Sequence, residues 1–542
     1  ATATGGELSR GQKVAGELAS LFRSRNPLIW IGTREEARVE AFIAEAAASA
    51  KYLTETWDIA QGVMQLDGKR DELFSAENPD PALTLNTIRN LSKQSTTDRT
   101  VWILRDMPVW LNGPGGALNL RTLRNLVRAL PTVASARAQT LVIISPDTNV
   151  PPELTNHASV IDWPLPDRIE IASILDGALE PLSDDYRATA APNGTREAAI
   201  EAALGLSGEE AEATFSRSLV VTKSRDGRPK IDPVLVANEK KRVIAREKVL
   251  EWYDPLPGGL TAVGGLENLK EWLIRRRQAY SKEAREYGLP LPKGVFVFGV
   301  SGCGKSLLAK ATATAWQIPL LRLDLNALKG KFVGESEGNL RKALRVIEAI
   351  GRCVVWLDEI EKALEGATSG SADGGVSADA LGTILTWMQE RQGGAFVIAT
   401  ANAVEKLPPE LVRKGRFDEM FFVDLPTEIE RRQVLNAACR ANGRASDDVT
   451  IDDVAVAAVT DGFTGAEIAA LVPDALYTAF ADNARQITTD DLLAAAKSVV
   501  PLSKTASEKI KGLRDWAATR SRPASKQAVV ADARSTGRQL DL

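Results

Sequence analysis

Two stretches of this 542-residue chain open on the same pattern, and that duplication limits the fold more than any other feature. Pro27-Leu-Ile-Trp-Ile-Gly32 and Gly294-Val-Phe-Val-Phe-Gly299 are apolar runs followed by helix-like segments reaching about Lys51 and Trp316. Each reads as a buried strand, a turn and a helix. Four further landmarks follow in the same order in both halves. Thr100-Val-Trp-Ile-Leu-Arg-Asp106 aligns with Cys353-Val-Val-Trp-Leu-Asp-Glu359, and Thr140-Leu-Val-Ile-Ile-Ser145 with Ala395-Phe-Val-Ile-Ala-Thr400. Pro151-Pro-Glu-Leu154 repeats as Pro408-Pro-Glu-Leu411, and Trp163-Pro-Leu-Pro166 resembles Val423-Asp-Leu-Pro426. Strands alternating with helices in this way predict a mostly parallel sheet, built twice.

The second copy carries chemistry. Gly299-Val300-Ser301-Gly302-Cys303-Gly304-Lys305-Ser306 is a complete P-loop, lying between the strand and the helix as the motif requires. Its glycines let backbone N–H groups converge on phosphate, and the following helix, whose first turn takes in Leu307, points its positive end at the anion. Lys305 is expected to contact the outer phosphates, and Ser306 a Mg²⁺ ion. The strand Val354–Leu357 ends in two adjacent carboxylates, an expensive arrangement unless they meet a cation. Asp358 is expected to hold Mg²⁺ through water, and Glu359 to polarise the attacking water.

These motifs and their spacing resemble the AAA-type ATPases over about residues 250–500. Ile398-Ala-Thr-Ala-Asn402 is similar to the sensor-1 segment, which implies that Asn402 places the lytic water. Leu407-Pro-Pro-Glu-Leu-Val-Arg413-Lys-Gly-Arg416-Phe-Asp418 resembles the second region of homology, in which two arginines reach the neighbouring subunit's ATP. Gly462-Phe-Thr-Gly465-Ala466-Glu467 resembles the sensor-2 turn of the helical lid, and Gly258–Leu266 the segment that packs near adenine. Arginines acting in trans imply a closed ring, six subunits being the family default. Lys331-Phe332-Val333-Gly334 resembles the pore loop of ring translocases. Phe332 either grips an extended polypeptide there or packs into a core. A degenerate copy before an active one, with Gly374-Gly-Val-Ser377 and Trp387-Met-Gln-Glu390, further resembles an AAA family of chloroplast genomes and cyanobacteria.

The first copy has lost those groups. Gly302, Gly304, Lys305 and Ser306 correspond to Glu35, Ala37, Arg38 and Val39, and Asp358 and Glu359 to Arg105 and Asp106. Asn402 falls near Asp147, and Arg413 and Arg416 fall on Asn156 and Ser159. The expected architecture is therefore α/β, with duplicated P-loop NTPase-type parallel-sheet domains, each followed by a small helical lid. The expected boundaries are a degenerate domain over 1–180, its lid over 181–222, and a linker over 223–257 with one helix, Pro233–Tyr253. An active domain then covers 258–426, a lid 427–502, and a basic helix and fraying tail 503–542. Glu365–Ser377 reads as a flexible Gly/Ser-rich loop, a second pore loop or a solvated insertion.

Composition narrows the partners. The formal charge of −4 disfavours a nucleic-acid motor, although Lys329, Lys331, Arg341, Lys342 and a tail with 9 Lys/Arg against 4 Asp/Glu favour one. One His argues against a His-based metal or triad enzyme, and three Cys against a disulfide framework. With no long apolar run and no leader-like N-terminus, the expected location is cytoplasmic, away from membranes. Cys303 reads either as a redox sensor at a helix N-terminus or as a small residue that fits. The tail around Arg514-Asp-Trp516 and Arg520-Ser-Arg522 is a candidate dock for a neighbour or a client. Three functions stay open: an ATP-driven ring that remodels or threads a protein client, a nucleotide-controlled switch or scaffold, and a nucleic-acid motor.

Overall fold

The computed structural model describes residues 8–66, 69, 79–94, 98–113, 115–245, 249–254, 256–328, 333–363, 374–391, 393–408, 410–411, 413, 415–444 and 451–526. The chain divides into two compact units, Ala1–Lys240 and Lys241–Leu542.

In the first unit the strands are β1 (Leu28–Gly32), β2 (Leu53–Asp58), β3 (Gly62–Gln65), β4 (Thr100–Arg105), β5 (Gln139–Ser145) and β6 (Ala158–Asp162). In the second they are β7 (Leu250–Tyr253), β8 (Gly294–Gly299), β9 (Leu320–Leu323), β10 (Val354–Leu357), β11 (Phe396–Ala401), β12 (Glu419–Val423) and β13 (Arg522–Pro523). The sheet orders among the described residues are β3-β2-β4-β5-β1-β6 and β7-β9-β10-β11-β8-β12-β13. The inner strands match one for one, and only the edge pairs β2–β3 and β7–β9 are antiparallel. The duplicated α/β fold is therefore present. The central strands β1, β5, β8 and β11 are buried along their whole length, as strands covered on both faces must be.

Helices follow each sheet. In the second unit Glu428–Ala441, Asp453–Val459, Gly465–Ala481 and Thr489–Ser498 share a core that includes Leu435, Val456, Phe463, Leu471 and Leu492. Capping boxes at Thr427, Thr464 and Thr488 fix three of their starts, each hydroxyl and the acidic residue three positions on satisfying each other's backbone N–H. In the first unit Arg168–Leu179 packs against Asn193–Ala203 and Gly208–Asp226. Among the described residues no helix is long and apolar enough to cross a membrane.

Three local readings are corrected. The helix expected over Pro233–Tyr253 ends at Ile244, and Leu250–Tyr253 is an edge strand instead. Its partner is far away in sequence, at Leu320–Leu323, and Tyr253 packs edge-on against Trp356 with ring centres 5.4 Å apart. The expected loop over Glu365–Ser377 is interrupted at Gly374, where a helix to Glu390 begins. The basic tail is docked as far as Lys526. Its helix Ser507–Ala517 buries Ile510, Leu513 and Ala517, Trp516 meets Phe298 edge-on at 4.9 Å, and Arg514 grips Asp424 with a bidentate pair. Arg514 and Trp516 are thus engaged within their own chain.

Candidate functional site

The P-loop joins β8 to the helix Lys305–Trp316. Gly299 sits at φ +143, and a Cβ there would lie 2.0 Å from the Val423 carbonyl oxygen, so only glycine lets β8 and β12 close at this level. Gly302 is left-handed at φ +76, and its carbonyl accepts from Ala466 N–H at 2.8 Å. That bond ties the loop to the Thr464–Gly465 turn of the lid helix. Loop, lid turn and strand ends together enclose a cavity of about 550 Å³, within the usual range for a small-molecule site.

The expected side chains converge on its polar end. Lys305 is buried and donates to the Gly299 and Val300 carbonyls at 3.0 and 2.6 Å. Burial pushes its ammonium down from 10.5 to about 8. Ser306 Oγ donates to Asp358 Oδ1 at 2.9 Å, and Thr400 Oγ1 donates to the same oxygen at 2.6 Å. Asn402 Nδ2 donates to Glu359 Oε1 at 2.9 Å, while Lys362 Nζ holds Oε2 at 2.6 Å. Glu359 is left-handed at φ +47, which turns its carboxylate out of the strand direction. The neighbouring hydroxyl and carboxylate of Ser306 and Asp358 are hard oxygen donors. Among the described residues no cluster of three His, Cys, Asp or Glu could cage a metal alone. That set fits Mg²⁺, which binds through one or two protein oxygens and completes its shell with water and phosphate.

Three residues have roles at the site that sequence reasoning did not single out. Thr400 braces Asp358 and also accepts the Glu359 N–H at 3.1 Å. Glu361, only 3% exposed, accepts the Asn402 N–H at 2.9 Å, and burial raises its carboxyl above the ordinary range. Asp424 lines the cavity while held by Arg514. Thr400 and Asp424 lay inside stretches already read, whereas the role of Glu361 depends on long-range packing.

Other expected residues lie elsewhere. Arg413 is exposed, Arg416 is partly exposed and donates to the Glu410 carbonyl, and neither lines the cavity. Phe332 lies outside the described residues, and of Val333 and Gly334 only their place at the start of the helix Val333–Ile350 is described. Of the two readings of Cys303, burial favours the small residue that fits: the thiol is buried and pushed up to about 11, because desolvation outweighs the Gly465 N–H and the Lys305 charge. Cys353 and Cys439 are also buried, and neither is in a disulfide among the described residues.

The matching place in the first unit is filled by its own side chains. Glu35, where the second unit has Gly302, is 5% exposed and accepts from Gly208 N–H at the start of a helix. Arg38, in the lysine position, pairs with Glu35 at 2.7 Å and with Glu170 at 2.5 Å. Arg105, in the aspartate position, pairs with Glu40 at 2.6 Å and Asp58 at 3.2 Å. The Asp358 position carries the opposite charge in Arg105, a carboxylate replaces Gly302, and the Lys305 position stays cationic in Arg38; Asp106 keeps φ +49, the same turn as Glu359. The lid turn is also duplicated: Gly205-Leu-Ser-Gly-Glu-Glu210 has the capping box of Gly462-Phe-Thr-Gly-Ala-Glu467. That match was legible in the sequence and was missed.

The sheet, the loop and the lid define an AAA ATPase domain, and comparison with known proteins agrees. The family model described as ATPase family associated with various cellular activities (AAA) matches residues 295–425. That of the SpoVK-like AAA ATPase N-terminal domain matches 14–163, and that of the AAA+ lid domain 448–494. The chain is 35% identical to the protein of Guillardia theta named uncharacterized AAA domain-containing protein ycf46, over 92% of this chain and 93% of that one. The same-named protein of Pyropia yezoensis is 35% identical over 92% and 97%. The chain belongs to this ycf46 family of AAA domain-containing proteins. The proteasome-activating nucleotidase of Aeropyrum pernix is 34% identical over 40% of this chain and 53% of its own length.

Proposed function

We propose that the second unit hydrolyses ATP with Mg²⁺, that subunits assemble in a ring with six as the expected number, and that the ring remodels or threads a protein client. The observation that carries the first step is the convergence of Lys305, Ser306, Asp358, Glu359 and Asn402 on one cavity whose walls come from loop, strand ends and lid.

Lys305 leaves its two carbonyl partners and pairs with the outer phosphates. Gly299–Leu307 supply N–H groups and the helix dipole, and Gly465 and Ala466 close the lid side. Ser306 and Asp358 would hold Mg²⁺, which supplies charge neutralisation between the phosphates. Glu359, released from Lys362, accepts a hydrogen bond from the attacking water and takes its proton as the water attacks, and Asn402 keeps that carboxylate aimed. Arg413 and Arg416, both away from the cavity of their own chain, act in the neighbour's site.

Lys305 gives this reading a pH signature. Bound phosphate favours the charged ammonium, so ATP binding takes up a proton wherever the free chain has lost it. Because the free lysine titrates at about 8, affinity should be flat below that pH and then fall by up to about tenfold per unit as pH rises. Equilibrium binding of Mg·ATP to Glu359→Gln from pH 6.5 to 9.5, in steps of about one unit, reads this out. Constant affinity over the range would exclude a desolvated lysine as the phosphate contact.

The client step rests on the sequence context of Phe332 and on the likeness to a proteasome-activating nucleotidase. Phe332→Ala should retain ATP turnover and lose remodelling of a client, measured with a protein that co-purifies with ATP-bound Glu359→Gln rings. Full remodelling by Phe332→Ala would move the reading to a nucleotide-controlled scaffold. Rings carrying only nuclease-sensitive material would move it to a nucleic-acid motor.

A further inference from the structure

One wall of the nucleotide cavity comes from the far C-terminal end of the described chain. Ser525 lines it, beside a largely apolar end formed by Val263, Leu266, Val434 and Ala438. The phosphates are accounted for at the polar end, so this end is left for the base.

The segment is built in. After the helix Ser507–Ala517 the chain turns and adds β13 alongside β12. Ala524, fully buried, donates to the Phe422 carbonyl at 2.9 Å and accepts from Leu269 N–H at 3.2 Å. The second bond serves the helix Glu267–Arg277, which begins at Leu266 with no side-chain cap. Ala524 thus satisfies one of the orphan donors of that helix start. Asn268 Nδ2 spans two carbonyls of the segment, at 3.2 Å to Pro523 and 2.8 Å to Ser525. Lys526 pairs with Glu271 at 2.6 Å.

From the other side the lid holds the same loop. Glu430 accepts the Leu266 N–H at 3.0 Å and Gln433 the Gly265 N–H at 2.8 Å. The loop Val263–Leu266 is therefore held by the lid helix, and the helix that follows it, through Asn268, Leu269 and Glu271, by the C-terminal strap.

We propose that the strap Arg522–Lys526 is the outer wall of the base end of the nucleotide site, so that nucleotide binding and strap docking strengthen each other. This rests on the nucleotide site proposed above. Coupling of this kind is reciprocal: whatever peels the strap from β12 weakens nucleotide binding by the same factor that nucleotide strengthens strap docking.

The test measures Kd for a methylanthraniloyl-ATP probe on the full chain, on a chain ending at Ser521 and on Asn268→Ala, with amide hydrogen exchange at Ala524. The proposal expects both altered chains to bind at least about fivefold more weakly, and the probe to slow exchange at Ala524 in the full chain. An unchanged Kd in both, with Ala524 exchange indifferent to the probe, overturns it. Should the shortened chain fail to fold, Asn268→Ala and the exchange readout decide alone. If the full chain binds no probe, the nucleotide site itself falls; if it binds and the variants match it, only the coupling falls.

Discussion

Glu359→Gln is expected to lower ATP turnover by roughly 10³-fold while leaving ATP bound, the scale of losing a positioned general base. The amide keeps a carbonyl oxygen that can accept from Asn402, as Glu359 Oε1 does at 2.9 Å, so the side chain stays placed. What it loses is the charge and the basic oxygen now held by Lys362. Lys305, Ser306 and the lid turn are untouched, so affinity should persist. Single-turnover hydrolysis alongside equilibrium binding separates the two effects. Ordinary turnover in this variant would remove Glu359 from the chemistry.

Arg416→Ala is expected to cost as much or more, roughly 10³-fold or greater, if its guanidinium stabilises the spreading phosphoryl charge of a neighbour. Among the described residues the side chain donates to the Glu410 carbonyl, and it does not line the cavity, so its loss should not disturb folding of the site. Mixing with Glu359→Gln subunits should restore turnover, because each inactive subunit contributes an intact Arg416 to an intact site next door. Subunit exchange is established first with two differently labelled chains. Exchange without recovery would rule out an arginine acting across the interface.

The parts legible in the sequence were those fixed by local geometry. A P-loop is eight consecutive residues, Gly299–Ser306, whose glycines answer to backbone constraints within the same turn. Asp358 and Glu359 announce themselves because two charges end an apolar strand. The duplicated order of strands could be read for a similar reason: long apolar runs buried on both faces leave a strong pattern. Edge elements left almost none. Leu250–Tyr253 and Arg522–Pro523 are short, and what makes them strands is a partner roughly seventy or a hundred residues away. Brace residues such as Glu361 were hidden too, because a single carboxylate shows its role only once packing puts a backbone N–H against it.

The same contrast explains the first unit. Losing the phosphate-binding residues was visible position by position, but the replacement was not. Glu35 supplies the anion at the Gly208 helix start, and Arg38 balances Glu35 and Glu170. A buried charge trio of this kind is destabilising if one member is removed, so the fold is tied to the closed state. We infer that the duplicated chain has one open nucleotide site, the matching place in the first unit being closed by its own residues.

That claim is tested most directly by the stoichiometry of Mg·ATP binding to the full-length Glu359→Gln chain, measured calorimetrically against a known chain concentration. One nucleotide per chain is expected, abolished by a Lys305→Ala substitution in the same background. Two per chain, or one that survives Lys305→Ala, would contradict it.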